Sequence, residues 1–159
     1  MITSTMKSTI IIFIGFLLTI GCEDPAGSTI PESATIEGTI TFSGSWPGDD
    51  ILFLALSSNW PPTGAPAASS IIISTDLQSN TYDYIFENVT FATYGAITVS
   101  WLDTGDPNSA TNQHILGSYG RTPDSEYGPY LDAMSVTVSD TAYALTGMDF
   151  SADLSLATN

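Results

Sequence analysis

Residues 82–103 read YDYIFENVTFATYGAITVSWLD, and the fold turns on how this stretch divides. Tyr82, Tyr84 and Phe86 alternate with Asp83, Ile85 and Glu87; further on, Ile97, Val99 and Trp101 alternate with Ala96, Thr98 and Ser100. A period of two puts each trio on one side of an extended chain, whereas a helix needs apolar residues three and four apart. Both runs are rich in aromatic and β-branched residues, which fit a pleated, half-buried surface. The expectation is two strands, Tyr82–Val89 and Ala96–Leu102, with Trp101 in the core.

Outward from there the same pattern recurs. Thr35–Phe42 alternates Ile36, Gly38, Ile40 and Phe42 with polar residues, and Ile51–Leu56 is apolar on both faces, as a central strand is. Ile71–Thr75 and Met134–Val138 add two more short strands. Leu145–Leu154 gives the seventh, with Met148, Phe150, Ala152 and Leu154 set against Asp149, Ser151 and Asp153. No segment carries a helical stripe. Seven strands with Gly-, Pro-, Asn- and Asp-rich breaks predict an all-β fold, a single antiparallel β-sandwich over residues 35–159. Two connections are long, Ser57–Ser70 and Asp103–Ala133, the second well beyond the ~12–15 residues of a plain loop. Binding residues are therefore sought in these loops.

The order IEGTITF (36–42), then residues 82–103, then MDFSADL (148–154) resembles the transthyretin-like, carboxypeptidase-regulatory-like β-sandwich of bacterial surface lipoproteins. The turn Ala92-Thr93-Tyr94-Gly95 departs from the Gly-Thr-Tyr commoner there, and an immunoglobulin-like sandwich is the alternative. The resemblance implies an accessory or binding role rather than catalysis.

The N-terminal region points to the cell envelope. Lys7 precedes Ile10–Ile20, eleven uncharged residues, about half the ~20 that a membrane-spanning helix needs. A basic residue, an apolar core of this length and a small residue before a cleavage point make a secretory signal, with Met6 the better start. Thr19-Ile20-Gly21-Cys22 resembles the bacterial lipoprotein signal, in which diacylglycerol is joined to the cysteine sulfur and the signal is removed. The one departure is that Leu falls at 18, and Thr19 takes the place where Leu is most usual. Cys22 is the chain's only cysteine, and a lone thiol in an oxidising compartment is a liability that lipidation removes. The expected organisation is a signal at 1–21, a lipidated Cys22 with a flexible Pro-, Ser- and acid-rich tether at 22–34, and the domain beyond. The expected location is the outer membrane, lipid-anchored; Glu23-Asp24 resembles an acidic tag for surface display, and the surface and periplasmic faces both stay open.

All seventeen acids follow Cys22, and Arg121 is the only basic side chain in that part, so the mature net charge is 1 − 17 = −16. Such a surface repels phosphate backbones, which excludes nucleic acid as a partner, and it favours cations and basic partners. A saline habitat explains the same composition.

Catalytic chemistry has little to stand on. His114 is the only histidine, there is no lysine after Lys7, and no nucleophile motif accompanies His114. The expectation is no catalytic residue and no enzyme. In WLDTGDPNSATN, Asp103, Asp106 and Asn108 offer oxygen ligands around a glycine, a pattern that suits calcium. The same residues build turns by bonding their own backbone, and both readings stay open. Trp46, Trp60, Tyr119, Tyr127 and Tyr130 fall at strand ends or in loops. They either stack on a ligand such as a sugar ring or close the ends of the core. A glycan or another envelope protein is the partner these residues would serve.

Overall fold

The computed structural model describes residues 31–48, 51–103, 105–108, 114–121 and 133–157. It is all-β, with ten strands: β1 (Ala34–Ser43), β2 (Ile51–Ser57), β3 (Ala68–Ile72), β4 (Thr81–Val89), β5 (Thr93–Tyr94), β6 (Ala96–Leu102), β7 (His114–Ser118), β8 (Val136–Thr137), β9 (Ala144–Leu145) and β10 (Phe150–Asp153). Sheet A runs β10-β1-β4, with β9 also on β1; sheet B runs β3-β2-β6-β7; β5 and β8 form a small third sheet. Seven strands in one antiparallel arrangement is thus too simple. β1 pairs parallel with both β9 and β10, which makes sheet A mixed.

The stretch 82–103 divides as expected, into β4 and β6. Tyr84 and Phe86 are buried, but the next inward residue is Val89, three positions on. A bulge explains the slip: Ala34 faces Val89 and Ile36 faces Phe86, so β4 carries one extra residue, with Asn88 at φ 55°. In the link between the two strands, the Tyr94 hydroxyl donates to the Thr90 carbonyl at 2.7 Å and ties the turn to itself.

The expected strand Leu145–Leu154 is interrupted. β9 and β10 both lie along β1, but residues 146–149 break the pairing, with Gly147 at φ 70°. There the Met148 N–H donates to the Glu37 carbonyl, and the Asp149 carboxylate accepts the Thr39 N–H. Gly38 is the reason this works. A Cβ on it would overlap the Met148 carbonyl, while its neighbour across the sheet, Tyr84, reaches past it to donate its hydroxyl to that carbonyl at 2.7 Å.

The third strand is displaced from Ile71–Thr75 to Ala68–Ile72. The Asp76 carboxylate captures the Ile73 N–H at 3.0 Å and turns Ser74–Asp76 into a single 3-10 turn, so the pairing is carried by Ala68, Ser69 and Ser70 instead. Of Met134–Val138 only Val136–Thr137 is strand. β7 lies inside what the sequence offers as loop. Its pattern is buried at four successive positions, and a bulge at Leu116 breaks the alternation that reveals a strand.

The core cluster draws on both large sheets: Ile36, Ile40, Phe42, Tyr84, Phe86 and Phe150 from one, Leu52, Leu54, Leu56, Val99, Trp101 and Leu116 from the other. β7 packs closely on β10, and only a glycine fits at 117, where a Cβ would overlap the Ser151 carbonyl and Ala152. Among the described residues no helix is long and apolar enough to cross a membrane.

Candidate functional site

Among the described residues, two hollows of opposite character stand out. The first lies on sheet A, about 340 Å³ in volume, lined by Glu37, Gly38, Thr39, Asp83, Tyr84, Gly147 and Asp149. Its carboxylates come from β1, β4 and the break before β10, joined only by strand register. Thr39 links two of them, giving its N–H to Asp149 at 2.8 Å and its hydroxyl to Asp83 at 2.7 Å. Burial pushes the Tyr84 phenol well above its ordinary value, and the nearby Asp149 charge and then Tyr119 push in the same direction. This hollow is a negatively charged surface that repels anions.

The second hollow, about 210 Å³, lies in the connection from β2 to β3 and is lined by Ser57, Ser58, Asn59, Pro62, Thr63, Gly64 and Ala65. None of these is charged. The Ser57 carbonyl accepts the Gly95 N–H at 2.8 Å, and the Leu56 carbonyl accepts the Ala67 N–H at 2.8 Å, so both ends of the loop are held. Gly95 also lets the loop approach, since a Cβ there would overlap the Asn59 carbonyl carbon and the Trp60 nitrogen. Across the loop the Asn59 amide donates to the Thr63 hydroxyl at 3.3 Å.

The expected site residues separate. Trp46 is half-buried and stands edge-on to Phe42, ring centres 6.5 Å apart, so it closes the core beside β1. Tyr119 also packs against the core, its N–H donating to the Ile97 carbonyl. Trp60 is half-buried in the β2–β3 loop, between two residues that line the neutral hollow. Tyr127, Tyr130 and Cys22 lie outside the described residues. His114 opens β7 rather than sitting in a loop; it is exposed, with its ring 5.3 Å from that of Trp101.

At the end of β6 the Asp103 carboxylate accepts the Gly105 N–H and the Asp106 carboxylate accepts the Asn108 N–H, each at 2.8 Å, while the Asp106 N–H donates to the Asp103 carbonyl. Each acid thus bonds backbone two residues on, the device that builds such turns. Among the described residues no group of three His, Cys, Asp or Glu side chains is placed to hold a metal ion. One further carboxylate is tuned by its surroundings: the Ser155 hydroxyl, then the Ser155 N–H, with Arg121 contributing least, hold Asp153 below the usual range where it caps the last 3-10 turn.

Composition gave no hint of either hollow. Glu37, Asp83 and Asp149 are far apart in sequence, and Asn59 and Thr63 are unremarkable polar loop residues. No family profile, curated protein or solved structure matches the chain.

Proposed function

We propose that this chain is a non-catalytic lipoprotein of the bacterial cell envelope, anchored in the outer membrane through Cys22. Its domain is a β-sandwich, similar to the transthyretin-like domains of surface lipoproteins, that presents loops for adhesion or ligand binding. The observation that carries the reading is the Thr19-Ile20-Gly21-Cys22 signal followed, after residues 23–33, by an all-β domain opening at Ala34. The two large sheets serve as the layers of the sandwich, since one buried cluster draws on both. Two acyl chains on one sulfur-linked glycerol anchor a protein stably without spanning the bilayer. Folding supplies the display: a domain with both ends of its binding loop held presents that loop at little entropic cost.

A second reading, a carbohydrate-binding accessory lipoprotein of an uptake system, is favoured by the uncharged β2–β3 hollow in an otherwise acidic chain. Labelled palmitate tests the anchor. The wild type should incorporate it and fractionate with outer membrane, and Cys22→Ser should do neither; equal labelling of the two removes the lipoprotein reading.

A further inference from the structure

We propose that the hollow between β2 and β3 is a subsite for one ring of an uncharged sugar, an inference that rests on the ligand-binding reading and names its ligand class. Three hydroxyls and one carboxamide line it, from Ser57, Ser58, Thr63 and Asn59. Hydroxyls both donate and accept, and a carboxamide does each at separate atoms, so the wall matches a ligand made of hydroxyl groups. An ionic ligand finds no counter-charge there. Anions are further repelled by a chain with seventeen acids and two basic residues, and cations are drawn to the sheet A hollow instead. A greasy ligand would leave the wall's polar atoms beyond the Asn59–Thr63 bond cut off from water.

Size narrows the class. About 210 Å³ is below the roughly 300–1,000 Å³ that encloses a drug-sized molecule, which leaves room for a single ring. The hollow is also built before any ligand arrives, because its two ends are hydrogen-bonded to Gly95, just before β6, and to β2, and Gly95 admits the loop's backbone. Trp60, in the same loop, gives the hollow a fluorescent reporter, while Trp101 is sealed in the core.

The test uses the mature lipidated protein in a detergent without sugar headgroups. Glucose, galactose, mannose and N-acetylglucosamine are titrated against tryptophan fluorescence and ligand-observed NMR, with glucuronate and glucosamine as charged controls. A ligand of about a dozen non-hydrogen atoms should bind at millimolar strength. At least one neutral sugar should saturate, and the charged controls should bind at least tenfold more weakly. Asn59→Ala/Thr63→Val, both exposed positions, should weaken the neutral sugar at least tenfold, and Ala65→Trp, which fills the hollow, should abolish it. Asp83→Asn/Asp149→Asn should leave it unchanged. Saturable binding that survives Ala65→Trp places the sugar elsewhere and overturns this subsite while sparing the broader reading. Absence of any saturable sugar binding overturns the subsite and the carbohydrate reading together, leaving adhesion through the palmitate-anchored domain to stand or fall on its own test.

Discussion

Sheets A and B share one buried core, yet they meet water differently. On sheet A the strands alternate apart from the β4 bulge: Ile36, Ile40, Tyr84, Phe86, Phe150 and Ala152 face the core, and Glu37, Asp83, Ile85 and Ser151 are exposed. On sheet B both faces of the central strands are buried. Leu52, Leu54, Ile97 and Val99 fill one side, while Ala55, Thr98, Ser100 and Ser118 on the other are 7, 3, 1 and 0% exposed. A sheet covered on one side tolerates acids on the other, and sheet A carries the charged hollow there. A sheet covered on both sides must use small or apolar residues throughout, with hydroxyls that can bond nearby backbone, as Ser100 does to the Phe53 carbonyl at 3.4 Å.

The sharpest way to break this contrast is to put the same charge on the two outer faces. Ser100→Asp buries a carboxylate in a chain whose only basic side chains are Lys7 and Arg121, and should cost more than about 3 kcal/mol or prevent folding. Ile85→Asp, at a residue 52% exposed on sheet A, should change stability by about 0.5 kcal/mol or less. Urea denaturation of the two variants on a Cys22→Ser background decides the point. Similar losses would mean that the outer faces are equivalent.

That contrast was legible in the sequence for most of the chain. Thr35–Phe42 and Tyr82–Val89 alternate because one face is wet, and Ile51–Leu56 does not because neither is. Legibility failed where a local irregularity outvoted the period. The bulge at Leu116 left β7 with consecutive buried residues inside an apparent loop, and Gly147 with Asp149 broke one long expected strand into β9 and β10. The parallel pairing of β1 was invisible for another reason: direction depends on where the chain returns, and no periodicity encodes that. The charged hollow was hidden likewise, since only the register that sets Thr39 opposite Asp83 and beside Asp149 assembles it.

A smaller effect sharpens the account of sheet A. Tyr84→Phe removes the hydroxyl that spans β1 to the Met148 carbonyl and should cost about 1 kcal/mol at neutral pH. Because the folded chain holds the Tyr84 pKa above its ordinary value of 10.0, folding favours the protonated phenol. Its contribution is therefore complete below pH 10 and is lost as pH rises through the raised value. Burial raises Tyr94 in the same direction, so both proteins should weaken in alkali. The wild type should weaken more steeply above pH 10, narrowing its advantage over the variant. A gap that stays constant to pH 11.5 would show that the phenol is not held in the protonated form.

The smallest effect separates the two acidic places, the turn after β6 on sheet B and the hollow on sheet A. A specific calcium site would add RT ln(1 + [L]/Kd), about 2.7 kcal/mol at a hundredfold excess over Kd, and raise the melting temperature by several degrees. Diffuse screening of the chain's net charge of −15 raises it too, but answers to ionic strength and not to coordination geometry. Asp103 and Asp106 each already hold a backbone N–H, and an asparagine at either position keeps that bond through its carbonyl oxygen. Asp103→Asn/Asp106→Asn therefore removes charge while preserving the turn, and Asp83→Asn/Asp149→Asn does the same for the hollow. Melts of both variants and the wild type in calcium, magnesium and ionic-strength-matched sodium chloride should give rises equal within about 1 °C across the three salts, a difference small against the several degrees of a real site. A calcium-selective rise lost only in Asp103→Asn/Asp106→Asn would make the sheet B turn a calcium loop. The same rise lost only in Asp83→Asn/Asp149→Asn would put the cation on sheet A, at the hollow where Thr39 bonds both carboxylates.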